Sequence, residues 1–219
     1  MKTITEKFKS NGEAPPMFEN KFLNRLTKTH IATPIVIFMT YSVALLWYTL
    51  VKTDVSALAV IGLFVLGTLG FTFAEYIVHR WIYHPPHDAS EGYKEFTYNM
   101  HGFHHDYPKD KKRLAMPPVL AILISTVLLF FFELILQQYA FAYLAGFVVG
   151  YAMYLVVHYT VHMYPPPKSF LKALWVNHAL HHYSKDNILF GVSQPLWDHI
   201  FRTMPKSTKD KNRAVEIIR

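Results

Sequence analysis

Long apolar runs constrain this chain more than any other feature. Residues 31–51 carry no charged side chain over 21 positions. Coiled as a helix they reach about 31 Å, the thickness of the hydrocarbon layer of a bilayer. Three more runs follow: residues 55–78, whose one charge is Glu75; residues 117–136, with Glu133 near the end; and residues 139–157, with none. Soluble helices keep one charged face, so four runs apolar on every side predict four transmembrane helices. Pro117 and Pro118 open the third run, where missing amide donors cost least. In the fourth, Ala142, Gly146 and Gly150 recur every four residues, a spacing that lets a neighbouring helix approach closely, and packing within the bundle is favoured over a dimer seam.

Charge sets the orientation. Six Lys and Arg precede the first run, six lie between His79 and Met116, nine follow His162, and one occupies the two opposite loops. The positive-inside rule places both termini and the central polar segment in the cytoplasm. Residues 1–30 read as a cytoplasmic arm without the apolar core of a signal peptide. Within it, Phe18, Phe22, Leu23 and Leu26 alternate with Lys21, Arg25 and Lys28 in a pattern suited to a helix on the membrane surface. Residues 31–219 form a single membrane domain, with residues 79–116 and 158–219 as its cytosolic cap. The net charge of +7 follows this topology, and nucleic acid is not an expected partner.

Ten of the thirteen histidines fall into four groups: His79 with His84; His101, His104 and His105; His158 with His162; and His178, His181 and His182. Steps of three and four put imidazoles on one helix face, whereas the step of five from His79 to His84 requires either a distorted helix end or two metals sharing it. The predicted topology delivers all four groups to the same membrane surface. Ten neutral nitrogens exceed the four to six that one ion accepts and suit two ions. With no cysteine in the chain, iron–sulfur and thiolate sites are excluded. Neutral ligands leave the metal charge uncancelled, so nearby carboxylates are expected to compensate; Glu75, one turn before His79, and Asp106, beside the triplet, are candidates. Two metals at a membrane surface point to oxygen chemistry on a lipid. Zinc hydrolysis fits less well, because no His-Glu-x-x-His pattern supplies a general base.

At these residues the chain resembles the membrane fatty acid hydroxylase and sterol desaturase superfamily, and within it the fatty acid 2-hydroxylases that act on sphingolipid acyl chains. The runs EYIVHRWIYH, HGFHHDYPKDKKRLAMPP and FGVSQPLWDHIFRT carry the resemblance, which spans residues 75–203. It implies an all-α membrane fold in which a histidine-rich cytosolic cap holds a di-iron centre. The implied metal ligands are His79, His84, His101, His104, His105, His158, His162, His178, His181 and His182, and Asp198 matches the family tail. It further implies O2-dependent hydroxylation of carbon 2 of a long acyl chain, free or in a ceramide; because divalent affinity at imidazole rises from iron towards zinc, zinc is expected to be able to replace iron in purified protein. The same centre on a sterol or carotenoid, or a non-enzymatic metal-binding membrane protein, are the alternatives. Two departures stand out. Leu155 occupies the place, one turn before His158, where the family usually has Asp, and residues 1–30 are too few for the fused cytochrome domain of many relatives. A separate cytochrome b5-like or ferredoxin-like electron donor is therefore expected.

Overall fold

The computed structural model describes residues 14–184 and 187–205, so the basic tail and the first half of the predicted arm lie outside the described residues. Every element within them is helical. The short helix α1, Lys21–Leu26, is capped by Asn20, whose side chain accepts from the amides of Phe22 and Leu23. Two long apolar helices follow, α2 (Ala32–Lys52) and α3 (Ala57–Ile77), the second capped by Ser56. The polar segment holds α4 (Glu91–Thr97) and α5 (Phe103–Asp106). The chain then returns through α6 (Pro118–Leu136) and α7 (Ala140–Met163), and ends in α8 (Lys172–Tyr183) and α9 (Leu196–Ile200).

Three stretches are long and apolar enough to cross a membrane: Ala32–Lys52, Ala57–Tyr83 and Pro118–Met163. The third, 46 residues long, is folded on itself. Gln137 takes φ 50°, and beyond this turn Phe132 of α6 packs edge-on against Tyr143 and Phe147 of α7. Long side chains point outward from these helices, Leu58 80 % and Leu134 84 % exposed, as a lipid-facing surface requires.

Helix α7 is the hub, packing against α2, α3 and α6. Its buried face is built from small residues, including Ala142, Ala145, Gly146, Gly150 and Ala152. The predicted small-residue stripe therefore serves packing within the bundle. A Cβ added to Gly146 would sit 1.9 Å from the Phe64 carbonyl oxygen of α3, and one on Gly67 would sit 1.9 Å from that of Tyr143. Hydrogen bonds secure the same contacts: Ser42 Oγ donates to the Ala145 carbonyl, and Thr68 Oγ1 to that of Gly146. Gly146→Leu is expected to force α3 and α7 apart and to destabilise the detergent-solubilised protein by about 3 kcal/mol, the upper end of overpacking costs. Gly62→Leu, where a Cβ meets nothing within 4 Å, should leave the thermal midpoint unchanged.

One helix end takes the distorted form that the step of five allowed, and another runs past its expected end. The second apolar helix winds into a π-helical segment, Val78–Tyr83, and the fourth continues six residues past Val157 to Met163. Both changes carry histidines, so each of these two helices projects a pair beyond its apolar run.

Candidate metal centre

The ten histidines converge into two clusters, and each helical triplet is divided between them. The first cluster contains His79, His84, His101, His105 and His181; the second contains His104, His158, His162, His178 and His182. Helical geometry explains the split. Residues four apart lie about 40° apart around the axis, whereas the residue three along is displaced about 60° the other way. His101 and His105 thus point to one cluster and His104 to its neighbour, while His178 and His182 point to the second and His181 to the first. Each cluster draws one pair from an apolar helix, one pair from a triplet and one single residue from the other triplet. The five-residue step from His79 to His84 is absorbed by the π-helix, whose wider turn returns both rings to the same cluster. A second π-helical turn, Tyr98–Gly102, sets the direction of His101.

Within each cluster one nitrogen per ring lies within 4.8 Å of all the others. Ligands on opposite sides of one ion at about 2.1 Å would be about 4.2 Å apart. Individual Nε2 separations are 2.9 Å for His79 and His101, 2.8 Å for His101 and His105, 3.2 Å for His84 and His181, 3.0 Å for His104 and His158, and 2.6 Å for His162 and His178. Metal-free imidazoles gain little from such convergence, since few protons are available to bridge the lone pairs. Burial, reinforced by neighbouring rings, lowers the pKa of His101, His104, His105, His178, His181 and His182 well below the usual imidazole value, and burial alone brings His84 to about 4. Both ring nitrogens of the half-buried His182 are shielded from solvent, and among the described residues neither has a hydrogen-bond partner. Neutral rings, converging lone pairs and orphaned, solvent-shielded imidazole nitrogens fit a pair of transition-metal ions.

The three candidate carboxylates occupy different settings. Asp106 is partly exposed and accepts from the Tyr98 hydroxyl at 3.2 Å. Glu75 and Asp198 are buried and bind the backbone of residues 190–193: Glu75 accepts from the amides of Val192 and Ser193, and Asp198 from those of Phe190 and Gly191. His30, His87 and His199 are exposed and lie outside both clusters. Trp197 anchors the last segment, donating from Nε1 to Thr72 and packing on Phe73. Sequence reasoning missed two contributors, the carbonyls of Ile188 and Phe190, which accept from His181 Nδ1 and His79 Nδ1. Backbone groups carry no residue signature.

An apolar cavity of about 610 Å³ runs from the clusters into the bundle. His79 and His101 of the first cluster and His104 and His158 of the second stand at one end, while Leu128 and Phe147 line it well inside the apolar helices. Leu155, placed where the resembling family usually has Asp, is fully buried on its wall. Asn99 and Arg113 border the cavity on the cap side. Arg113 is held by Asp110 and donates to the side chains of Thr27 and Asn24, which ties the segment around α1 over the cavity.

The family model for fatty acid hydroxylases matches residues 64–203, more than half of the chain and inclusive of all ten clustered histidines. The chain belongs to the fatty acid hydroxylase family. Among members of this family, fatty acid 2-hydroxylase of Mus musculus is 39 % identical over 147 residues, which cover 66 % of this chain and 40 % of that one. Dihydroceramide fatty acyl 2-hydroxylase FAH2 of Arabidopsis thaliana is 32 % identical over 204 residues, covering 88 % and 81 %. The solved structure of scs7p, in which only the hydroxylase domain is visible, superposes with a TM-score of 0.79 at 31 % identity, covering 89 % of this chain and 73 % of that one. The chain spans about 40 % of the length of the mammalian hydroxylases that it matches.

Proposed function

We propose that this protein is an integral-membrane, O2-dependent non-haem di-iron hydroxylase that adds a hydroxyl group to carbon 2 of a long acyl chain, free or amide-linked in a ceramide. The observation that carries the reading is the apolar cavity that has histidines of both clusters at one end and runs from them into the helix bundle. An acyl chain lying along it would have its head-group end at the two metal positions and its methyl end near Leu128. Helices α2, α3, α6 and α7 serve as four spans, with both termini and the clusters on the cytoplasmic side. Relatives named as fatty acid and dihydroceramide fatty acyl 2-hydroxylases support the substrate class.

The chain's own residues perform three tasks. Five imidazoles from each cluster would hold one metal ion, neutral because burial disfavours their protonation. The cavity wall positions the chain and excludes water, which protects a reactive centre from wasteful turnover. Asn99 and Arg113 border the cap side, where a polar head group would rest. Iron held there, given O2, two protons and two electrons from a cytochrome b5-like or ferredoxin-like donor, would supply the oxidising power for an unactivated C–H bond, with one oxygen atom entering the product and the other leaving as water.

Lipid profiling of cells expressing the protein tests the reading: 2-hydroxylated acyl chains should appear, and their absence from iron-replete cells with an adequate electron donor would overturn it. Leu128→Trp should act on chain length alone. The indole fills the deep end of the cavity, so hydroxylation of the longest chains should fall about tenfold relative to shorter ones, with metal content unchanged.

A further inference from the structure

The two clusters are supported differently. Residues 188–193 form a strap beside the first one. Asp198 accepts from the amides of Phe190 at 2.8 Å and Gly191 at 2.9 Å, and from Thr203 Oγ1 at 2.6 Å. Glu75 accepts from the amides of Val192 at 2.7 Å and Ser193 at 2.9 Å, and from Ser193 Oγ. Four consecutive backbone donors are thus taken by two buried carboxylates, one from α3 and one from α9. Within the strap, Phe190 presents its carbonyl to His79 Nδ1 at 2.6 Å and Ile188 presents its own to His181 Nδ1 at 2.9 Å. Leu189 between them adopts φ 58°, unfavourable for a side chain of its size, and its amide is tied to the Thr203 carbonyl. A Cβ on Gly191 would lie 2.8 Å from Asp198 Oδ2, so the carboxylate grips bare backbone. In the second cluster the Leu114 backbone supports His158, but among the described residues the Nδ1 atoms of His104, His178 and His182 have no partner.

We infer that Glu75 and Asp198 are positioning residues for the first cluster, acting through the 188–193 strap, and that the two metal positions therefore differ in affinity. The inference rests on the dinuclear reading above. A ring that donates from Nδ1 is held in the tautomer whose Nε2 lone pair faces the metal, and loss of such a partner typically costs about 10–100-fold in affinity. His79 and His181 belong to the same cluster, so a slackened strap weakens that cluster alone.

The experiment measures metal equivalents per chain in purified protein titrated with Co2+, with circular dichroism as the check on helix content. Wild type should bind two equivalents. Asp198→Asn puts an amide donor against the N–H of Phe190 or Gly191, and Glu75→Ala removes the acceptor of the Val192 and Ser193 amides; each should weaken one equivalent about 10–100-fold and leave the other unchanged. Ligand backgrounds identify which. In His104→Ala, which retains an intact first cluster, adding Asp198→Asn should weaken the remaining strong equivalent. In His181→Ala, which retains an intact second cluster, the same addition should leave the remaining strong equivalent unchanged. Equal weakening in both backgrounds, as general unfolding would produce, overturns the inference, and so does no change in either. Wild-type protein that binds no Co2+ would fail differently, by removing the dinuclear reading itself.

Discussion

His104→Ala and His181→Ala should each reduce 2-hydroxylation to background while removing metal from different clusters. His104 is the single residue that the central triplet contributes to the second cluster, and His181 is its counterpart in the first. The depleted cluster would retain four imidazoles, enough to bind an ion weakly, but the lost ring lies where the clusters adjoin. The His104 ring centroid is 5.7 Å from that of His101 and 6.0 Å from that of His105 in the first cluster, and the His181 centroid is 5.8 Å from that of His182 and 6.1 Å from that of His178 in the second. Elemental analysis should find close to one tightly held metal per chain in either variant, with the four long helices still formed. Full activity after loss of either residue would contradict two metals acting together.

Acidification should release both metals over a narrow pH range well below 6.5. Protons and metal compete for the same lone pairs, so each protonated ring weakens the hold on its neighbours. The fold itself pushes in the same direction. His84 titrates at about 4 in the folded protein, against about 6.5 in an unfolded chain, so between these values the folded state binds fewer protons. The stability tied to this neutral ring is complete above pH 6.5 and is lost as pH falls towards 4. At about 1.4 kcal/mol per pKa unit, His84 alone accounts for about 3 kcal/mol. The lowered values at His105, His178 and His181 add with the same sign. Metal retained after gel filtration at successive pH values measures the effect, and a shallow loss extending over several pH units would show ligands titrating independently.

Four apolar runs, a π-compatible step of five between His79 and His84, and two triplets of the same spacing were legible because each depends on local chemistry. Apolar length specifies what can enter a bilayer, and a period of 3.6 residues specifies which side chains share a face. The candidate carboxylates were legible only in part. Glu75 stands one turn before His79 on the same helix, yet its hydrogen bonds run to Val192 and Ser193, more than a hundred residues away. No local pattern encodes a contact between a side chain and distant backbone.

Sequence alone therefore determined that this is a helical membrane protein with ten histidines suited to metal, since burial of apolar surface and ligand chemistry follow from residue type. Tertiary structure alone decided how those histidines divide. The spacing of a triplet separates His104 from His101 and His105, but only the crossing of α3, α5, α7 and α8 brings His181 to that pair and His178 with His182 to His104. It also decided that the carbonyls of Ile188 and Phe190 support His181 and His79, because backbone groups are the same at every residue and only folding aims them.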